Sequence, residues 1–161
     1  MAWTITIPGG RVRLGPILTI ADSLGIADET WAAVPRNTYV PSCRQQVSSG
    51  HPGSRGVYFG MELGAFRLVL PPLASLEDFR LAKRIIRVVC RQLSGLVVVD
   101  NVEVLGLMTF DLRYNDAWYL ERRHAEYTKL EQLVARPAAS QASCSRALGD
   151  CDQDPPPDQI N

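Results

Sequence analysis

Polar and apolar residues alternate over Trp3-Thr4-Ile5-Thr6-Ile7, the period-two pattern of a half-buried strand. Pro8-Gly9-Gly10 follows as a turn, and Arg11 to Leu14 is predicted as the return strand. Leu18 to Leu24 reads as one or two helical turns stopped by Gly25. Asp28 caps a short helix through Val34, and Pro35 ends it. Residues 41–55 hold two Pro, two Gly and four Ser, the composition of an exposed loop.

The pattern sharpens after that. Val57, Phe59, Met61 and Leu63 alternate with Tyr58, Gly60 and Glu62. Beyond Gly64-Ala65, Phe66, Leu68 and Leu70 alternate with Arg67 and Val69. Two period-two runs around a Gly turn predict a β-hairpin with one apolar face. Pro71-Pro72 ends it, and Ser75 caps a helix running to about Leu93, with Asp78 placed as the acidic half of a capping box. Phe79, Ala82, Ile85, Ile86, Val89 and Leu93 fall on one arc at 100° per residue, and Gly95 stops the helix. Leu96-Val97-Val98-Val99 is a β-branched run suited to the interior of a sheet. Val102 to Leu112 is open between strand and loop. Asn115 or Asp116 caps a second long helix, about Ala117 to Ala135, with Tyr119, Leu120, Tyr127, Leu130, Leu133 and Val134 on its inward side. Arg123 interrupts that stripe, so it pairs with a carboxylate such as Asp100 or Glu103, or reaches into a pocket or interface.

These elements predict an α+β fold, an antiparallel or mixed sheet with two long helices packed on it. Residues 1–136 form the single α+β domain. Residues 137–161, after Pro137, are rich in Ala, Ser, Asp and Pro and are expected to be a disordered acidic tail. With 161 residues and 46% hydrophobic content, the chain can bury a core without metal or disulfide support. The formal net charge is zero, which argues against a general nucleic-acid binder. The zero conceals an asymmetry: from Pro137 onward Arg146 stands alone against Asp150, Asp152, Asp154 and Asp158, so the preceding body is net positive.

The N-terminus lacks the basic and long apolar regions of a signal peptide, and no apolar run approaches the roughly 20 residues that span a bilayer. The expectation is a cytoplasmic protein with reduced thiols and no membrane partner. Cys90 sits at the edge of an apolar helix face, Cys43 in a polar loop, and Cys144 and Cys151 in the tail, without the spacing of a zinc site. No metal and no cofactor is expected.

Over residues 55–103 the order Arg55-Gly56, hairpin, Leu70-Pro71-Pro72-Leu73-Ala74-Ser75 with Glu77-Asp78, and long helix resembles an uncharacterised bacterial family of unknown function. The resemblance covers about a third of the chain. It implies a bacterial cytosolic protein and carries no catalytic site.

The best candidate for chemistry is the basic side of the 75–93 helix. Arg80, Arg84, Arg87 and Arg91 recur at spacings of four, three and four, with Lys83 beside them, opposite the apolar arc. Guanidinium groups in a row repel one another unless acids answer them, and each suits a bidentate carboxylate or phosphate. The face is either a docking surface for an acidic protein partner or a nucleic acid, or a solvated face crossed by Glu and Asp of neighbouring elements of the chain itself. Glu121 and His124 share a helix face, as an acid/base pair would, and Asp100, Glu103, Asp111 and Asp116 form an irregular carboxylate series. No phosphate-binding glycine loop, nucleophile elbow or zinc-protease motif is present. The reading that follows is a non-enzymatic interaction protein, in concrete form an immunity protein or antitoxin-like inhibitor that occludes a toxin through the basic face and the 41–55 loop. A small enzyme acting on a phosphorylated or nucleic-acid substrate and a self-associating assembly or secretion adaptor are the alternatives. Oligomeric state is not legible in the pattern.

Overall fold

The computed structural model describes residues 1–25 and 34–147, with side chains through residue 135. Residues 1–126 form one compact unit, and the chain from Tyr127 forms a second.

The fold is α+β. In chain order the described elements are β1 (Trp3–Pro8), α1 (Gly15–Ser23), β2 (Gln45–Val47), β3 (Val57–Glu62), β4 (Ala65–Leu70), α2 (Leu76–Gln92), β5 (Leu96–Val99), β6 (Glu103–Gly106), α3 (Leu107–Arg113) and α4 (Asp116–Ala147). The six strands form one antiparallel sheet in the order β2-β3-β4-β1-β5-β6. Trp3, Ile5 and Ile7 alternate inward from β1 as expected, and Phe59, Phe66, Leu68 and Leu70 form the predicted apolar face of the hairpin. The hairpin turns at Leu63-Gly64, both with positive φ (51° and 76°), the geometry whose twist matches that of paired strands.

Three expectations change. Arg11 to Leu14 is not the return strand; only Arg13 makes an isolated bridge, to Tyr39, and β1 pairs instead with the distant β4 and β5. Residues 41–55 contain β2, which extends the sheet beside β3 and buries Val47. The ambiguous 102–112 segment is β6 followed by α3. Its signal was Asp100-Asn101, both left-handed here (φ 49° and 59°), a type I′ turn closed by Val102 N–H donating to Val99 C=O at 3.0 Å. The expected helix capped by Asp28 lies outside the described residues.

Helix α2 begins as predicted: Ser75 Oγ accepts from Asp78 N at 3.1 Å, and the Asp78 carboxylate accepts from Ser75 N at 3.2 Å. Its arc of Phe79, Ala82, Ile85, Ile86 and Val89 is fully buried against the sheet. Trp3 is the hub of an aromatic cluster, with ring centroids of Phe79, Phe110, Tyr114 and Trp118 at 5.4–5.8 Å. Tyr119 stacks on Phe79 at 4.3 Å and donates its hydroxyl to Ala74 C=O at 2.8 Å, which fixes the first turns of α4. Of the stripe assigned to the buried side of α4, only Tyr119 is buried. Leu120 is exposed and, in the second unit, so are Tyr127, Leu130, Leu133 and Val134. The helix also runs past Pro137 to Ala147, through the strong helix formers Ala138, Ala139 and Ala142; the rest of the expected tail lies outside the described residues.

Candidate functional site

The site is organised by one buried carboxylate. Asp78 has no exposed surface and gathers four donors: Ser49 N at 3.2 Å and Ser54 Oγ at 2.6 Å on Oδ1, Arg55 N at 2.9 Å and Ser75 N at 3.2 Å on Oδ2. Burial alone would raise its pKa, but the bonds from Ser54, Arg55, Ser49 and Ser75 together hold it below the ordinary carboxylate value. The residue that starts α2 therefore also ties down the 48–56 loop. Within that loop Ser48 Oγ and Ser54 Oγ lie 2.7 Å apart, and Gly50 and Gly53 take left-handed turns (φ 70° and 80°).

Between this loop and α2 is a cleft of about 620 Å³. Ser49 to Pro52, including His51, form one wall; Glu77, Arg80 and Arg84 form the other, with Leu24 and Leu81 adding apolar surface. The loop and part of the basic stripe are thus brought to one place. Sequence reasoning treated Asp78 as a cap alone. The available signal was the serine and glycine density of the loop, a set of donors lacking an acceptor nearby in sequence.

The stripe itself is divided. Arg80 donates to Glu77 (2.6 Å) and twice to Asp116 (3.0 and 2.8 Å), and the hydrogen bond and charge of Asp116 push its pKa further up. Arg87 Nε donates to Asp111 at 2.8 Å. Lys83 is not on the solvent stripe: it is 7% exposed, its Nζ lies 3.3 Å from the Asp111 carboxylate and 3.2 Å from the Asp111 carbonyl, and it sits 5.8 Å from the Phe79 ring centroid. A Lys can do this because its long stem packs on apolar surface while its ammonium finds acceptors at the rim. Arg84 and Arg91 are exposed, and among the described residues neither forms an ion pair.

The carboxylate series accounts for much of this and is dispersed. Asp111 and Asp116 answer α2, Asp100 accepts from Thr4 N at 2.9 Å, and Glu103 accepts from Tyr114 Oη at 2.6 Å and pairs with Arg113. Arg122 reaches Asp100 (3.9 Å) and Glu126 (3.5 Å). Glu121 and His124 are exposed on α4, away from the cleft lining. Among the described residues no group of three or more His, Cys, Asp and Glu side chains is placed to hold a metal ion. Cys90 is buried, which pushes its thiol up to about 11, and Cys43 is exposed; neither is in a disulfide. No helix among the described residues is long and apolar enough to cross a membrane.

No protein-family model matches this chain, and no curated protein or solved structure matches it.

Proposed function

We propose that the chain is a non-enzymatic interaction protein that captures an acidic segment of a partner protein in the cleft between the 49–52 loop and α2. The observation that carries this reading is Arg84: an exposed guanidinium without an ion pair among the described residues, on the wall of a 620 Å³ cleft. Arg80, already held in place by Glu77 and Asp116, stands beside it as a fixed donor. A carboxylate entering the cleft meets the Arg84 guanidinium, the loop backbone and apolar contact from Leu24 and Leu81. Such charge complementarity steers encounter and sets orientation more than it adds affinity. With the resemblance of residues 55–103 to a bacterial family, the concrete form is a cytoplasmic immunity-type inhibitor that occludes an acidic site on a toxin.

The test separates binding from folding. A partner is captured from the native host, identified by mass spectrometry, purified and titrated against the chain and its variants. Arg84→Glu is expected to weaken binding by at least about tenfold, with the loss shrinking at high salt and thermal stability unchanged. Unchanged affinity for Arg84→Glu overturns the reading.

A further inference from the structure

The 41–44 segment crosses the outward face of the sheet at Gly60. Met61 N–H donates to Pro41 C=O at 3.0 Å, and a Cβ built on Gly60 would stand 3.2 Å from Cys43 C=O and 3.6 Å from Arg44 Cα. A residue without a side chain is what lets a second backbone lie this close to a strand. Beside the crossing is a cavity of about 350 Å³, within the size range of small-molecule sites. Ser42 and Arg44 line it from the crossing segment, and Tyr58, Glu62, Arg67 and Val69 line it from the hairpin. The register sets Arg67 opposite Gly60 and Tyr58 opposite Val69, so β3 and β4 together form one wall. Two guanidinium groups meet there. Arg67 Nη1 donates to Glu62 at 2.6 Å, while its Nε is buried and has no hydrogen-bond partner among the described residues. Arg44 is exposed, lies over the Tyr58 ring at 6.0 Å from its centroid, and forms no ion pair among the described residues. Glu62 offsets one of the two positive charges, so the lining keeps a net positive charge.

We propose that this cavity binds a small organic oxyanion, a phosphate monoester or a carboxylate, between the Arg67 and Arg44 guanidinium groups. Glu62 holds Arg67 at Nη1 and so fixes the plane of its fork. The Nε side of that fork is left for a second oxyanion, and its paired N–H groups match two oxygens of one carboxylate or phosphate. An unpartnered guanidinium N–H away from water is costly, and a ligand oxygen would remove that cost. Arg44 supplies a second cation from the opposite wall, held there by its contact with Tyr58. The Ser42 and Tyr58 hydroxyls add neutral donors, and Val69 gives the body of the ligand apolar contact. The cavity is independent of the cleft at α2, with which it shares no lining residue.

Phenyl phosphate and benzoate are the probes, each one ring carrying one oxyanion. Each is titrated into the isotope-labelled chain and followed by backbone amide shifts. At least one is expected to bind with a Kd of about 1 mM or tighter and to shift the amides of Arg44, Gly60 and Arg67. The tighter of the two assigns the head group to phosphate or carboxylate. Benzamide, which keeps the ring and lacks the charge, should bind at least about tenfold more weakly. Arg44→Ala and Arg67→Lys are each expected to weaken binding by at least about tenfold. The lysine keeps the charge and loses the fork, so its loss reads bidentate geometry rather than net charge. Arg44 is exposed and outside any ion pair among the described residues, so its variant keeps the test standing if Arg67→Lys misfolds. Arg84→Glu should bind both probes like the native chain. No binding of either probe at about ten times that concentration, shifts confined to residues 49–52 and Arg84, or native affinity in folded Arg44→Ala and Arg67→Lys overturns the proposal.

Discussion

Asp78 serves two structures with one carboxylate, and that makes it the most consequential single residue near the cleft. It caps α2 and also satisfies backbone and hydroxyl donors of a loop that has few apolar side chains to hold it. Removing the acceptor leaves those donors buried and unpaired, at about 1–3 kcal/mol for each group that water cannot reach. Asp78→Ala is expected to destabilise the fold by about 3 kcal/mol in urea unfolding and to raise amide exchange at Ser49 and Arg55. The pH dependence follows from the depressed pKa. The carboxylate's contribution is complete above the ordinary value of 3.8 and is lost as pH falls through the lower folded-state value. Stability of the native chain should therefore fall in this acid range more steeply than that of Asp78→Asn, as measured by denaturant midpoints across pH. Equal slopes would show that Asp78 does not govern that loss.

Helix α2 shows how a regular charge pattern is divided once neighbours are present. Its arginine spacing is a property of the chain, yet Asp111 from α3 and Asp116 from α4 decide which cations remain open. The consequence is a contrast between neighbouring residues. Arg84→Glu touches no ion pair among the described residues and should leave stability within about 0.5 kcal/mol of native. Asp111→Ala strands the nearly buried Lys83 ammonium without its carboxylate and should cost about 3 kcal/mol in thermal or urea unfolding. Lys83→Met, which removes that charge while keeping an apolar stem, should recover most of the loss in the Asp111→Ala background. Failure of that rescue would mean that Asp111 acts through Arg87 instead.

Across the whole molecule, one strand sets the architecture. β1 enters the sheet between β4 and β5, and Trp3 at its start meets rings from α2, α3 and α4 at once. Trp3→Ala is expected to cost about 3–5 kcal/mol, since no single neighbour can collapse into so large a gap. Trp3→Phe should cost clearly less, because the buried indole N–H has no hydrogen-bond partner among the described residues to lose. Urea midpoints for the two variants distinguish ring packing from any polar role.

Local pattern determined the hairpin of residues 57–70, the Ser75–Asp78 cap, the buried arc of α2 and the inward alternation of Trp3, Ile5 and Ile7, because neighbours one to four residues apart fix these by themselves. It also showed the arginine row. It did not show that β1 pairs with residues more than fifty positions away, because period two names a face and not a partner. Nor did it reveal β2, three residues long, or the exposure of Leu130 and Val134. The division of the arginine row was decided by tertiary structure alone: whether Lys83 is buried and Arg84 left open depends on where α3 and α4 place two aspartates, and long-range packing sets that position.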